Sequence, residues 1–373
     1  MHSWPRAVGR LPRAFALSLA PVVLAACAED APDDASPDDD LDKSALHGWV
    51  VIERAEGDGR VRTSVSAKFL QVGRVGSLQS EIGERDSSSQ TFATAASLVG
   101  GRVNVPAVGD CVPLGSLEET ASEHPGVSID LVDVGDVTLQ IQEPDAGHAE
   151  ERTTRLSLSP RAFPDIGDLV SGVFYTSPDA SVGLPVPAEY EIGGTGSTSV
   201  DAFLIDVRAP EAPRNLVVAG VLADDEEGAS AGLPPITVAS GADIEIGWRS
   251  LQPGVSSQDV SSAGGLIFVD VRSEGDADSF AHRCTFPDGG AAVLPSGVLH
   301  PRATAASLTI HRLAERSSTM RGMEDAHGAT VVFDLSRTVR LDVTHGAAPH
   351  SAAPHSAAPR DAAGAIVASD AQP

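Results

Sequence analysis

Aromatic side chains make up only 4% of this 373-residue chain, and lysine is almost missing, with Lys43 and Lys68 standing alone against 52 acids. Scarce aromatics weaken any reading that needs stacking platforms for bases or sugars. A formal net charge of −26 excludes nucleic acid as a partner, because that binding runs on basic patches. Long apolar runs are lacking too. The best, residues 14–26, has thirteen uncharged residues, short of the ~20 that a helix needs to cross a ~30 Å hydrocarbon core. Helical periodicity is scarce, with residues 90–99 the best short candidate. Zincin helices, phosphate-cradling loops and dinucleotide fingerprints are absent, so no cofactor is implied.

What is present begins at the leader. Arg6, Arg10 and Arg13 precede residues 14–26, and no acid lies among them. A basic region, a short apolar region and small residues before a break describe a signal peptide, residues 1–26. The string Leu24-Ala25-Ala26-Cys27 resembles the lipobox of bacterial lipoprotein signal peptides. That resemblance implies cleavage before Cys27, a diacylglycerol joined to its thiol, and fatty acyl chains such as palmitate that hold the chain to a bilayer. It places the protein in the cell envelope, lipid-anchored. Losing the three leader arginines takes the charge from −26 to −29.

If Cys27 carries lipid, the three cysteines leave one pair, Cys111 and Cys284. An even remainder in an oxidising envelope points to a disulfide. The alternatives are a reactive thiol or a metal ligand, the latter with only His282 near Cys284 in support. The segment after the anchor, residues 27–47, is rich in acids, Pro, Ala and Ser, and cannot bury enough surface to offset chain entropy. It reads as a disordered, self-repelling tether. Residues 346–373 hold a short Ala-Ala-Pro-His-Ser repeat and read as a disordered tail. The histidines at 345, 350 and 355 lack the preorganisation of a metal site.

Between these ends the chain reads as all-β. Val61, Thr63, Val65, Ala67 and Phe69 alternate with polar residues, the period of a strand with one buried face. Trp49–Ile52 precedes them across the turn Glu56-Gly57-Asp58-Gly59, which predicts an opening hairpin. Further strands are expected at 127–134, 137–141, 154–158, 169–175, 202–207, 216–221, 244–248, 266–271, 307–313, 329–335 and 338–343. Many short strands with turns between them indicate sandwiches or barrels. Residues 48–209 are assigned to one β-rich domain and 301–345 to a hairpin that packs on the body. Within 210–300, a proline-led strand (Pro213–Val218), a strand ending in Trp248 and the strand Leu266–Val271 resemble an immunoglobulin-like or fibronectin type III-like β-sandwich. The tyrosine corner of such domains has no residue to build it, since Tyr175 and Tyr190 lie outside.

Three constellations bear on chemistry. Gly109-Asp110, Gly135-Asp136 and Gly167-Asp168 either hold calcium, which wants several oxygens, or close turns between strands, with Gly supplying positive φ. Gly228-Ala-Ser230-Ala-Gly232 matches Gly-x-Ser-x-Gly, yet acids precede it and Pro234-Pro235 follows, so neither the strand nor the helix of a nucleophile elbow can flank it. Trp248 shares a strand face with Ile244 and Ile246 and reads as core. The functional expectation is a non-enzymatic binding, adhesion or scaffolding module, tethered to the bilayer through acylated Cys27 and partnered by an envelope protein or glycan. A hydrolase with a dispersed site and a calcium-dependent adhesin are the alternatives.

Overall fold

Strand alternation dictates the architecture. A computed structural model describes residues 46–74, 99, 103–117, 127–142, 153–163, 170–178, 180–223, 234–251, 265–274, 280–323 and 327–345, all within one compact unit, Ser44–Pro373. No α-helix occurs among the described residues; β-strands and two short 3-10 turns account for the regular structure. The expectations for residues 1–45, for most of 90–99, for 228–232 and for 346–373 lie outside the described residues.

The chain opens with the expected hairpin, β1 (Leu46–Gly57) and β2 (Arg60–Arg74), turned at Asp58 and Gly59, both with positive φ. It closes with a second, longer hairpin, β17 (Ala305–Thr319) and β18 (Gly328–Thr344). The two meet side by side: β1 runs parallel to β18 from His47↔Gly328 to Glu56↔Arg337. Around this four-strand centre lie β3 (Cys111–Pro113), β4 (Val127–Leu131), β5 (Val137–Gln142), β6 (Thr153–Phe163), β7 (Val170–Thr176), β8 (Glu189–Gly194), β9 (Phe203–Arg208), β12 (Ile236–Ala239), β14 (Leu266–Glu274) and β15 (Ala281–Pro287). Together they form a 14-stranded sheet in the order β3-β15-β14-β17-β18-β1-β2-β4-β7-β6-β5-β8-β9, with β12 beside the end of β18. A separate sheet has the order β11-β10-β13-β16, from β10 (Val217–Val218), β11 (Val221–Leu222), β13 (Ile244–Gly247) and β16 (Ala291–Leu294).

The long sheet folds back on itself. Leu204 on β9 exchanges backbone hydrogen bonds of 2.9 and 2.8 Å with Arg321, just past β17. One core fills the enclosed space, with Ile52, Phe69, Leu139, Tyr190, Ile205 and Phe333 among its members. A second core lies where the four-stranded sheet covers the other end of the β17–β18 hairpin, with Val218, Ile246, Trp248, Val269, Ile310 and Leu341 inside. The packing is therefore sandwich-like and all-β, the class read from the sequence.

The hairpin at 305–344 is not an appendage. Ala314, Phe333 and Leu335 enter the first core, while Leu308, Ile310 and Leu341 enter the second. The sandwich resemblance drew its strands from 210–300 alone; the sheet that faces β10, β13 and β16 also takes β17 and β18 from outside that range. Arg312, 1% exposed, sits on β17 between the cores. It donates to the carbonyls of Glu211 (2.8 Å), Ala212 (3.2 Å) and Arg249 (2.6 Å), and pairs with Asp288 at 3.1 Å. Asp288 also accepts from Trp248 Nε1 at 2.6 Å. Trp248 is core, as expected, with its indole N–H satisfied.

Candidate functional site

Because successive strand residues point to opposite faces, the strands that feed the cores also present a second face. On β18, Val331, Phe333 and Leu335 point inward, which leaves Asp334, Ser336, Thr338 and Arg340 on the opposite side. The register carries this alternation across neighbouring strands. One row runs Ser64, Glu53, Asp334. A second runs Arg62, Ala55, Ser336, His311, Phe268, Thr285. A third joins Thr338, Thr309, Asp270 and Arg283. Polar side chains from β2, β1, β18, β17, β14 and β15 thus share one face.

Its centre is a charge network around His311. Arg283 grips Asp270 with both arms, Nε to Oδ1 at 2.7 Å and Nη2 to Oδ2 at 2.8 Å. The geometry is the bidentate fork that makes guanidinium–carboxylate pairs strong. Arg283 Nη1 donates to the carbonyl of Asn104 at 2.7 Å, and the guanidinium lies 4.5 Å from the Phe268 ring centroid. His311 stacks on the same ring at 4.1 Å, tilted by 13°. Its Nδ1 is 2.8 Å from Asp334 Oδ1 and its Nε2 is 4.0 Å from Asp270 Oδ2. These four side chains are between 7% and 15% exposed. Glu53 stands next to Asp334 in the register. Burial, and then the Asp334 carboxylate, hold its pKa above the usual range, against a hydrogen bond from Ser64 and the charge of His311.

A carboxylate-oriented histidine is half of a base–nucleophile pair. The other half is not assembled: His311 Nε2 faces a carboxylate that Arg283 already holds, and among the described residues no hydroxyl bonds to it. The network ties β15, β14, β17 and β18 together across their polar, largely covered face. Nor do three His, Cys, Asp or Glu side chains converge as a metal site among the described residues.

The same face ends in a cleft of about 560 Å³ at the tip of the β1–β2 hairpin. Ala55 and Gly57 leave its floor bare, Arg60 and Arg62 rise on one side, and Thr338 and Arg340 line the other. Asp58 pairs with Arg340 at 2.8 Å. Glu56 is held by Arg54 and lies 3.9 Å from Arg337. Arg60 and Arg62 are exposed and form no ion pair with a described residue.

The residues singled out in the sequence fall elsewhere. Cys111 and Cys284 are direct cross-strand partners on β3 and β15 and form a disulfide, S–S 2.07 Å, across a sequence separation of 173. Cys284 is fully buried in the second core. Gly135, at φ +77°, turns the chain into β5; Asp133 accepts from Gly135 N at 3.0 Å and from the Tyr175 hydroxyl at 2.7 Å. A Cβ at Gly135 would fall 2.2 Å from the Gly196 carbonyl oxygen, so the turn requires glycine. Gly109, at φ +96°, turns the chain just before β3. Gly167-Asp168, Cys27 and the Gly-x-Ser-x-Gly string lie outside the described residues. The polar face went unread because its residues come one at a time from six strands. The signal available was Asp270, an acid in the otherwise apolar run Leu266–Val271.

No family model matches the chain, and no curated protein matches it in sequence.

Proposed function

We propose that this protein is a cell-envelope lipoprotein, acylated at Cys27, whose β-rich body is a non-enzymatic binding module held off the membrane by residues 27–45; Leu46 and His47, read from sequence as the end of the tether, already belong to β1. The observation that carries the binding part is the arginine-walled cleft. Its volume, about 560 Å³, falls within the ~300–1,000 Å³ of small-ligand sites. It presents exposed guanidinium groups on a chain whose net charge is −26. The anchor part rests on the leader and the lipobox string.

Two measurements test this reading. Cys27→Ser should move the protein from the membrane fraction to the soluble one; a variant that still sediments with membranes ends the anchor argument. The hydrolase alternative has one observation in its favour, the His311–Asp334 pair at 2.8 Å. Chromogenic ester and glycoside substrates should turn over no faster with the wild type than with His311→Gln. Turnover present in the wild type and lost in the variant would replace the binding reading with the enzymatic one.

A further inference from the structure

We propose that the cleft between the β1–β2 hairpin tip and β18 binds a phosphate ester. This inference rests on the binding-module reading and names the chemistry of its ligand. The first ground is local charge. The acids at the cleft are already engaged: Asp58 with Arg340 at 2.8 Å, and Glu56 with Arg54 and, at 3.9 Å, Arg337. Arg60 and Arg62 are left without a carboxylate among the described residues, so the mouth of the cleft is positive. The chain as a whole is acidic, but distant acids count for little, because the Debye length is only about 8 Å at physiological ionic strength.

Geometry is the second ground. Arg60 and Arg62 alternate along β2, which puts them on one face about 6–7 Å apart. Both line the cleft, and Thr338, whose hydroxyl shares a hydrogen bond with Thr309 at 2.9 Å, and Arg340, paired with Asp58, line the side facing them. Between them β1 contributes the small residues Ala55 and Gly57 and the acid Glu56, which Arg54 already holds, so no unpaired carboxylate from β1 stands between the walls. A planar carboxylate presents its oxygens in a single plane, matched by one guanidinium fork. A tetrahedral phosphate presents oxygens toward both walls at once, and arginine is the side chain best matched to it. The cleft's volume of about 560 Å³ exceeds what a bare phosphate fills, which leaves room for the alcohol part of an ester.

Such an ester can come from a free phosphorylated metabolite or from a lipid headgroup, and the experiment separates the two. The full chain is titrated calorimetrically with glycerol 3-phosphate and, in a second arm, with short-chain phosphatidylglycerol below its micellar concentration. The wild type should bind at least one of them saturably and more weakly as salt rises. Arg60→Ala with Arg62→Ala should weaken that binding about tenfold or more, since two charge-assisted forks are removed. Arg60→Lys with Arg62→Lys should recover part of it. Arg208→Ala, which removes an exposed arginine on β9 far from the cleft in the chain, should leave it unchanged. The tighter arm identifies the source. Both positions are exposed, and an unchanged thermal midpoint will show that the variants fold. Binding that is absent in the wild type, equal in the double alanine variant, or equally weakened by Arg208→Ala overturns the proposal. If it is overturned while Cys27→Ser still releases the protein and no turnover is found, the binding-module reading stands and only the phosphate assignment falls.

Discussion

Breaking the Cys111–Cys284 bond should cost the body much of its stability. The bond closes a loop of 173 residues in sequence. In the chain-entropy treatment a loop that long restricts the unfolded ensemble by about 5 kcal/mol, and native distortion usually lowers the realised figure, so about 3–5 kcal/mol is expected. The structure adds a local consequence. β3 is three residues long, and its only strand neighbour among the described residues is β15. Without the bond, β3 and the segment leading into it are held by a few backbone hydrogen bonds and by the Arg283 contact to Asn104. The test compares urea unfolding of the oxidised wild type, the reduced wild type and the Cys111→Ala, Cys284→Ala double variant. The last two should unfold at similar, lower midpoints. At roughly 2–4 °C per kcal/mol for a body of this size, the thermal midpoint should fall by at least about 6 °C. Coincident unfolding curves for oxidised and reduced protein would refute the reasoning. So would two reactive thiols in the denatured, unreduced protein.

Arg312→Ala should destabilise by about 3–5 kcal/mol, because it strands the buried Asp288 carboxylate and frees the carbonyls of Glu211, Ala212 and Arg249. A urea midpoint indistinguishable from wild type would show that Arg312 does not join the two cores. Stability should also carry a pH signature from Glu53. Its pKa is raised by burial and by Asp334, so the native state holds that proton more tightly than the unfolded one, and stability falls as pH rises from the ordinary glutamate value through the raised one. Glu53→Gln should therefore gain stability above that window and change little below it. Asp133 has the opposite sign: the Tyr175 hydroxyl and then the Gly135 amide lower its pKa, so its contribution is present above the ordinary aspartate value and is lost as pH falls through the lowered one. Unfolding midpoints for Glu53→Gln and Asp133→Asn across acidic pH should change in opposite directions relative to wild type.

Local features of this fold were legible in the sequence, and long-range ones were not. The alternation from Val61 to Phe69 and the Glu56–Gly59 turn define β1 and β2 because strand period and turn chemistry are properties of adjacent residues. The Cys111–Cys284 pair is the long-range exception: once Cys27 is set aside, parity leaves one pairing whatever the separation. β8, Glu189–Gly194, escaped notice because two glutamates and two glycines hide an inward Tyr190 and Ile192. β18 read as two strands because Ser336 and Arg337 interrupt its apolar pattern; Ser336 is only 6% exposed, covered on the polar face beside His311. The parallel pairing of β1 with β18 joins residues some 280 positions apart, and no local pattern encodes it. The cleft and the His311 network depend on that pairing, since it brings Arg60 and Arg62 toward Arg340, and Glu53 toward Asp334. Neither could be assembled from spacing alone.

On the proposed function, the β-rich body works from a lipid anchor at Cys27. The most direct test is the mass of the N-terminal peptide of the protein purified from membranes of expressing cells. A lipid-anchored protein should give a peptide that begins at Cys27 and carries diacylglycerol on its thiol. An unmodified Cys27, or a mature chain that begins at another residue, would contradict it.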